Sequence, residues 1–419
     1  MGEWRNLKLR DVGQITTGKT PPTSDSSNYG GETPFVTPSD MDGQRTIIST
    51  GRTITQQGLK TVGSSFVKSP AIVVSCIGSD MGKAALVNRP FLSNQQINSV
   101  ITSPDFDRLF VFYNLSMRKN EIRHKASGAA QPIMNKSDFG NLTLDIPDLP
   151  EQQAIAAVLS ALDDKIELNR RTNETLEASA RALFRDWFVD FGPTRAKMEG
   201  RPAYLAADLW SLFPDRLDDD GKPEGWEWGS LLDQANWVNG AAYKNMDFVE
   251  QTEGLPVVKI AELKAGVTGQ TKFTNTDLGD RYRIADGELL FSWSGNPETS
   301  IDAFIWTGGP AWLNQHIFAV RENGERSKAE LFVLLKWLMP QFAEIARNKQ
   351  TTGLGHVTKE DMKRLNVISP SMMIRKRFDD LIAPIFERIF SNITDSRTLA
   401  ETRDLLLPKL MSGEIRVRA

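Results

Sequence analysis

The chain has 419 residues, a formal net charge of −3, 40% hydrophobic and 25% charged residues, and a single cysteine. That length exceeds one ordinary core and suits two to four domains, and the composition excludes the disordered, fibrous and disulfide-stapled classes. The slightly acidic balance excludes a chain-wide cationic attraction for nucleic acid, so any contact with a polyanion must come from local patches.

Residues 1–150 read as a mixed α/β domain. Trp4, Leu7, Leu9, Val12 and Ile15 open it, followed by a Thr17-Gly18-Lys19-Thr20-Pro21-Pro22 loop marked by its glycine and prolines. The spacing predicts strands at Pro34–Thr37, Ala71–Ile77 and Ser99–Thr102, a helix over Arg108–Ile122, a polar loop over Lys125–Gln131, and a closing segment over Lys136–Ile146. Cys76 is a buried residue of the Ala71–Ile77 strand, and one cysteine can form no internal disulfide; with no apolar run of about eighteen residues and no secretory character in the opening Met-Gly-Glu-Trp-Arg, a cytoplasmic place and no membrane partner are expected.

Residues 151–193 predict one long helix. Ile155, Val158/Leu159, Leu162, Ile166, Asn169, Asn173, Leu176, Ala180, Leu183 and Trp187 hold a 3-4 spacing, a single apolar seam with two asparagines in its middle. Phe184, Trp187, Phe188 and Phe191 then crowd its end. They exceed what a two-helix seam needs, and two readings stay open: a docking surface for another subunit, or packing onto the neighbouring domain. Residues 194–225 read as a connector with one short helix.

From Trp226 the first domain begins again. Val238-Asn239-Gly240 stands where Thr16-Thr17-Gly18 stood, Asn314-Gln315-His316-Ile317 echoes Asn94-Gln95-Gln96-Ile97, and Thr358–Met362 echoes Asn135–Phe139. Residues 226–370 form this second domain. Residues 371–419 form a second long helix, with Ser371 as N-cap and a seam of Phe378, Leu381, Ile385, Ile389, Asn392, Ser396, Leu399, Arg403, Leu406 and Leu410. Asn392 falls where Asn169 fell, and Pro384 inside the seam predicts a kink or a fresh helix start. Such narrow seams need partners, and the simplest partner of each helix is the other copy. The fold class is therefore α+β: two α/β domains joined by two long antiparallel coiled-coil helices, an internal repeat with pseudo-two-fold symmetry. A forty-residue helix is about 60 Å long. Asn169, Asn173 and Asn392 are expected to fix the register across the seam; the alternative is that they face water.

No enzyme constellation is visible. Three histidines, His124, His316 and His356, and one cysteine give no zinc set. Gly18-Lys19-Thr20 lacks the upstream glycine of a phosphate-binding loop, and Asn296-Pro297-Glu298 lacks the second proline and the aromatic of the amino-methyltransferase corner. Asp163-Asp164 sit on different faces of one helix. No metal, cofactor or catalytic residue is assigned.

Two unlike globular units, each followed by a long helix, resemble the specificity subunit of a type I restriction–modification system. The Thr17–Pro22 loop, Ser127-Gly128 to Gln131, Pro147 to Gln153, Leu183 to Phe191 and Leu405 to Ile415 carry the resemblance, which covers essentially the whole chain. It implies a chain that does no chemistry. Each globular unit would be a target recognition domain reading one half of a bipartite, asymmetric double-stranded DNA target. The helices would set the half-site spacing and dock two modification subunits that bring S-adenosylmethionine and methylate adenine. In that family, restriction subunits with motor and nuclease activity join the same complex. Side chains shared by both repeats suit packing or phosphate contact, and divergent ones suit bases. On that basis the DNA-binding candidates are Lys19, Thr20, Gln95, Gln96, Arg123, Lys125, Gln131 and Lys136 in the first domain. In the second they are Lys244, Asn245, Asn314, Gln315, His316, Arg347, Lys349, His356 and Lys359. Asn94/Asn314 and Gln95/Gln315 recur in both repeats, so loop-stabilising hydrogen bonds compete with base contacts there. Two other functions remain: a standalone DNA-modifying enzyme, which would need a nucleotide or cofactor motif, and a coiled-coil scaffold that binds only proteins.

Overall fold

The computed structural model describes residues 3–41, 43–78, 80–126, 133–244, 247–350 and 354–417. The chain folds into two units: Met1–Glu167 with Arg397–Ala419, and Leu168–Ser396. The division falls inside both long helices, Leu149–Phe188 and Met372–Met411.

The first unit is built on a four-stranded antiparallel sheet in the order Gly13–Thr17, Ile97–Thr102, Ala71–Ser75, Ala84–Val87. Ala71–Ser75 is an interior strand buried at every position, which is why it is a continuous β-branched run and not an alternating one. A smaller sheet sets Tyr29–Val36 between Thr53–Ile54 and Leu92–Ser93, parallel to the latter. Helix Arg108–Ser116, capped by the Asp107 carboxylate accepting from Phe110 N, lays Phe110 and Val111 on the larger sheet. The single helix expected to Ile122 is two, the second being Lys119–Lys125. At the break Arg118 donates to Asn114 Oδ1 and the Thr143 carbonyl, and the turn brings Ile122 fully into the core.

The long helices complete this unit. Gln152 is completely buried, accepts from Asp107 N and donates to the Pro147 carbonyl, tying the start of the central helix to the domain. Ile155 and Leu159 pack with Leu410 and Met411 of the C-terminal helix. Glu151 receives two bonds from Arg416 at 2.5 and 2.6 Å, and Asp163 receives Arg403 Nη1 at 2.7 Å. Ascending positions on one helix thus meet descending positions on the other, an antiparallel pair.

The second unit repeats the larger sheet strand for strand: Asn236–Asn239, Ile317–Arg321, Leu289–Ser292 and Asp302–Ile305 in the same order. Leu255–Val258 lies parallel to Ala311–Leu313 as Tyr29–Val36 lies parallel to Leu92–Ser93. The terminal antiparallel ribbons also match, Arg5–Lys8 with Thr143–Ile146 and Glu227–Ser230 with Asn366–Ser369. The connector is not a loose tether. It holds short helices Gly192–Met198 and Ala207–Trp210, its Ala196 is fully buried, and its Phe213 lies in the unit's core.

Two features of the C-terminal helix differ from expectation. Pro384 neither ends it nor starts another; the helix is unbroken over Met372–Met411. Pro384 is exposed, so the Asp380 carbonyl that its missing N–H frees sits where water can reach it. The buried face is also rotated. Leu381 is 46% exposed, while Ile382 and Phe386 are buried. The cause is a second neighbour: helix Lys328–Asn348 packs on the same stretch, with Phe332 and Phe386 ring centroids 5.6 Å apart, so the covered face is wider than a two-helix seam.

The asparagines lie in the seam. Asn169 and Asn392 are buried. Asn169 Nδ2 donates to Asp395 Oδ2 at 2.8 Å and to Ser396 Oγ at 3.2 Å, and Asn392 Nδ2 donates to Asn173 Oδ1 at 2.8 Å. These bonds run from one helix to the other across the seam.

Candidate nucleic-acid interface

In both units the first sheet strand ends at a glycine that crosses the turn before the second sheet strand. Gly18 N donates to the Ile97 carbonyl at 3.0 Å, and Gly240 N to the Ile317 carbonyl at 3.1 Å. A Cβ at Gly18 would strike the Asn94 carbonyl oxygen, and one at Gly240 the Asn314 carbonyl oxygen, so only glycine permits the approach. The turn itself is the same in each: Asn94 N donates to the Val36 carbonyl as Asn314 N does to Val258, and Ile97 N donates to Asn94 as Ile317 N does to Asn314. Asn314 therefore serves the turn, and its side chain accepts from His316 N as Asn94 accepts from Gln96 N.

On this shared backbone four neighbouring positions carry different side chains. Strand register equates Thr17 with Asn239, Cys76 with Trp293, Gln96 with His316, and Asn98 with Phe318. In the first unit the group is polar and turned inward. Thr17 Oγ1 donates to Asn98 Oδ1 at 2.6 Å, and Asn98 Nδ2 donates to Cys76 Sγ at 3.2 Å. Burial pushes the Cys76 thiol up to about 11, so it stays a neutral floor residue. Gln96 Oε1 accepts from Asn94 Nδ2, leaving the Gln96 amide hydrogens as the outward donors. In the second unit Trp293 and Phe318 make the group aromatic. Trp293 lies against Phe318 and His316, with centroids 5.9 and 5.7 Å away, and its indole Nε1 donates to Asn239 Oδ1 at 3.0 Å. Asn239 and His316 are exposed. Trp293, Asn239, Thr17 and Cys76 are not among the DNA-binding candidates drawn from the sequence, although aligning the two repeats shows the divergence.

The remaining candidates divide by what already holds them. Lys19, Gln95, Lys136 and Lys244 are exposed, and Thr20 Oγ1 donates to Gln95 Oε1 at 2.7 Å. Arg123 and Lys125 are exposed on helix Lys119–Lys125, with Lys125 2.8 Å from Glu121. Arg347 pairs with Glu298 at the surface. His356 lies in a strand paired to Ser294, beside Trp293 in sequence. Gln315 is half-buried, and its Oε1 is buried with no hydrogen-bond donor near it. Two lysines have structural employment. Lys349 Nζ is 2.5 Å from Asp361, whose other task is to cap helix Lys359–Arg364 through Thr358. Lys359 donates to the Trp237 carbonyl at 3.0 Å and stands over Phe318. Gln131 and Asn245 lie outside the described residues.

The four aromatics at the end of the central helix are not a docking surface. Phe184, Trp187, Phe188 and Phe191 are all buried inside the second unit, where Phe188 meets Trp187 and Phe378 edge to face, with Phe213 and Trp226 beside them. The cluster is the hub of the core that the connector closes.

Residues 1–178 and 223–401 match the family model described as type I restriction modification DNA specificity domain. The chain belongs to this family. Each matched stretch takes in one globular domain and part of the helix that follows, so the match follows the duplication seen in the fold. The chain is 27% identical to the type I restriction enzyme MjaIX specificity subunit of Methanocaldococcus jannaschii, over 99% of this chain and 94% of the relative. It is 28% identical to the type I restriction enzyme HindI specificity subunit of Haemophilus influenzae, over 76% and 79% of the two chains. A crystal structure of a type I restriction–modification S subunit from M. genitalium shares the fold, with a TM-score of 0.53 at 15% identity over 97% of this chain and 96% of that one. Among the described residues of this specificity-family chain, no helix is long and apolar enough to cross a membrane, and no three His, Cys, Asp or Glu side chains gather as a metal site.

Proposed function

We propose that this chain is the non-catalytic DNA specificity subunit of a type I restriction–modification complex, each globular domain reading one half of a bipartite duplex target. One observation carries the reading. A single backbone framework is built twice, and the side chains at its rim differ between the copies, Asn239 and His316 exposed in the second where Thr17 and Gln96 are half-buried in the first, as two unlike half-sites require. Lys19, Arg123, Lys125, Lys136, Lys244 and Arg347 supply phosphate contact, and Thr20, Gln95, Gln96, Gln315, His316 and His356 face the bases. Asn314, Lys349 and Lys359 hold the fold behind them. Gln131 and Asn245 remain DNA candidates on sequence grounds.

The helices bearing Asn169, Asn173 and Asn392 set the half-site spacing. The complex contains two modification subunits that bind S-adenosylmethionine and methylate adenine, and restriction subunits join it. This chain binds no cofactor of its own and acts in the cytoplasm. The test is co-expression with the modification subunit, followed by mapping of methylated adenines in the host genome. A single two-part motif with a fixed gap supports the reading. Methylation without sequence preference, or methyl transfer by this chain alone, overturns it. Replacing Arg123 and Lys125 with alanine should weaken DNA binding across all sequences and reduce its salt slope by about two phosphate contacts' worth.

A further inference from the structure

We infer that the four equivalent positions 17/239, 76/293, 96/316 and 98/318 are where the two domains acquire different base preferences, and that in the second domain Asn239 and His316, held by Trp293, contact a purine edge. This rests on the reading that each domain engages a DNA half-site.

The argument is one of contrast under a fixed frame. Around these positions the backbone is the same in both units: the glycine crossing, the Asn-initiated turn, and the bond from residue 76 N to the Gln96 carbonyl, matched by Trp293 N to His316. Ser75 and Ser292 occupy one register position and are both fully buried. Residues that build the frame are alike, whereas the four side chains it displays are unlike in size, polarity and hydrogen-bonding sense. Cys76, Asn98 and Phe318 are buried and shape the floor of each patch, but packing does not set positions 17/239 and 96/316, where Asn239 and His316 are exposed and Thr17 and Gln96 are half-buried.

The chemistry of the second patch is directional. The Trp293 indole occupies Asn239 Oδ1, so Asn239 offers its two amide hydrogens. His316 adds a ring nitrogen beside the same indole, its ring centroid 5.7 Å away. A pair of donors held on an aromatic plate suits a partner rich in acceptors, and the purine N7 is an acceptor in both adenine and guanine, joined in guanine by O6. Trp293 acts as a positioning residue, fixing Asn239 through one hydrogen bond and His316 through ring contact. The first patch offers instead the Gln96 amide over a small neutral floor, which leaves room for a bulkier base edge.

The experiment uses the full chain assembled with its modification subunits and a panel of duplexes in which each base pair of the mapped target is changed in turn. Asn239→Ala with His316→Ala should lose at least tenfold discrimination at one or two adjacent base pairs of one half-site, with the other half-site unchanged. Trp293→Phe keeps the aromatic plate and removes the indole donor; it should lose part of the discrimination at those same base pairs. A discrimination profile identical to the wild type overturns the inference, as does an even weakening at every position. A wild-type complex with no sequence preference at all overturns the half-site reading, and this inference with it.

Discussion

The side-chain amide of Asn392 donates to Asn173 Oδ1 across 2.8 Å, joining the two long helices at a buried point of their seam. Replacing Asn392 alone with leucine leaves the half-buried Asn173 side-chain oxygen without this donor, at the low end of the about 1–3 kcal/mol that a buried polar atom without its partner costs. Replacing both with leucine removes the orphan and adds apolar contact. A double-mutant cycle in chemical unfolding should therefore show the N173L/N392L pair more stable than the sum of its single variants, with a coupling of about 0.5–3 kcal/mol. Additive single effects would show that the bond does not link the helices.

Trp187 tests the end of the central helix. It has no exposed surface and meets Phe213 and Phe378 at centroid distances of 5.0 and 5.6 Å. Trp187→Ala should destabilise the isolated chain by about 3–5 kcal/mol, as removal of a fully enclosed aromatic does. A docking residue would behave oppositely: the isolated chain would unfold as the wild type does, and only subunit assembly would suffer.

What could be read from the sequence follows from how local each determinant is. The duplication shows because equivalent elements keep their order and spacing, and Gly18 and Gly240 recur because nothing else fits beneath the Asn94 and Asn314 turns. The helix seam shows as periodicity, and Asn169 and Asn392 stand out as polar breaks in it. The rotation from Leu381 to Ile382 does not show, because it depends on Phe332 arriving from a separate helix. Periodicity says that Phe184 and Trp187 are covered without saying by what. Lys349 and Lys359 look like surface cations until Asp361 and the Trp237 carbonyl are placed beside them, the latter from 122 residues away. The base-reading patch is legible only in comparison, since Trp293 acquires meaning from Cys76 holding the same register.

Asp163 joins three elements of the first unit. Its carboxylate accepts from Tyr113 Oη at 2.6 Å and from Arg403 at 2.7 Å, linking the domain, the central helix and the C-terminal helix. Burial, then the hydrogen bond to this carboxylate, holds the Tyr113 hydroxyl well above its ordinary titration range, so it stays a donor. Asp163→Ala removes the Tyr113 phenol's acceptor and one of the two carboxylates on Arg403, Asp404 keeping the other at 2.7 Å, and should cost about 1–3 kcal/mol. Arg403→Ala should cost less, since Tyr113 still satisfies the carboxylate. Equal losses, measured by urea unfolding at constant slope, would place the weight on the ion pair and not on the three-way junction.

Glu330 gives the second unit a pH dependence of calculable sign. Its side chain lies in the first turn of helix Lys328–Asn348, 3.9 Å from a buried Arg326, with Ser327 N donating to Oε2. Burial pushes the carboxyl up to about 7 from its ordinary 4.5, against the pull of Arg326. The folded chain therefore keeps this proton where the unfolded chain has released it. The stability this group supplies is complete below about 4.5 and is lost as pH rises towards about 7. Glu330→Gln retains an oxygen for Ser327 N and cannot ionise, while Arg326 keeps its bonds to Gln234 and the Ile368 carbonyl. Urea midpoints measured across that range should decline more steeply for the wild type than for the variant. A difference between the two that does not change with pH would mean that Glu330 ionises alike in the folded and unfolded chains.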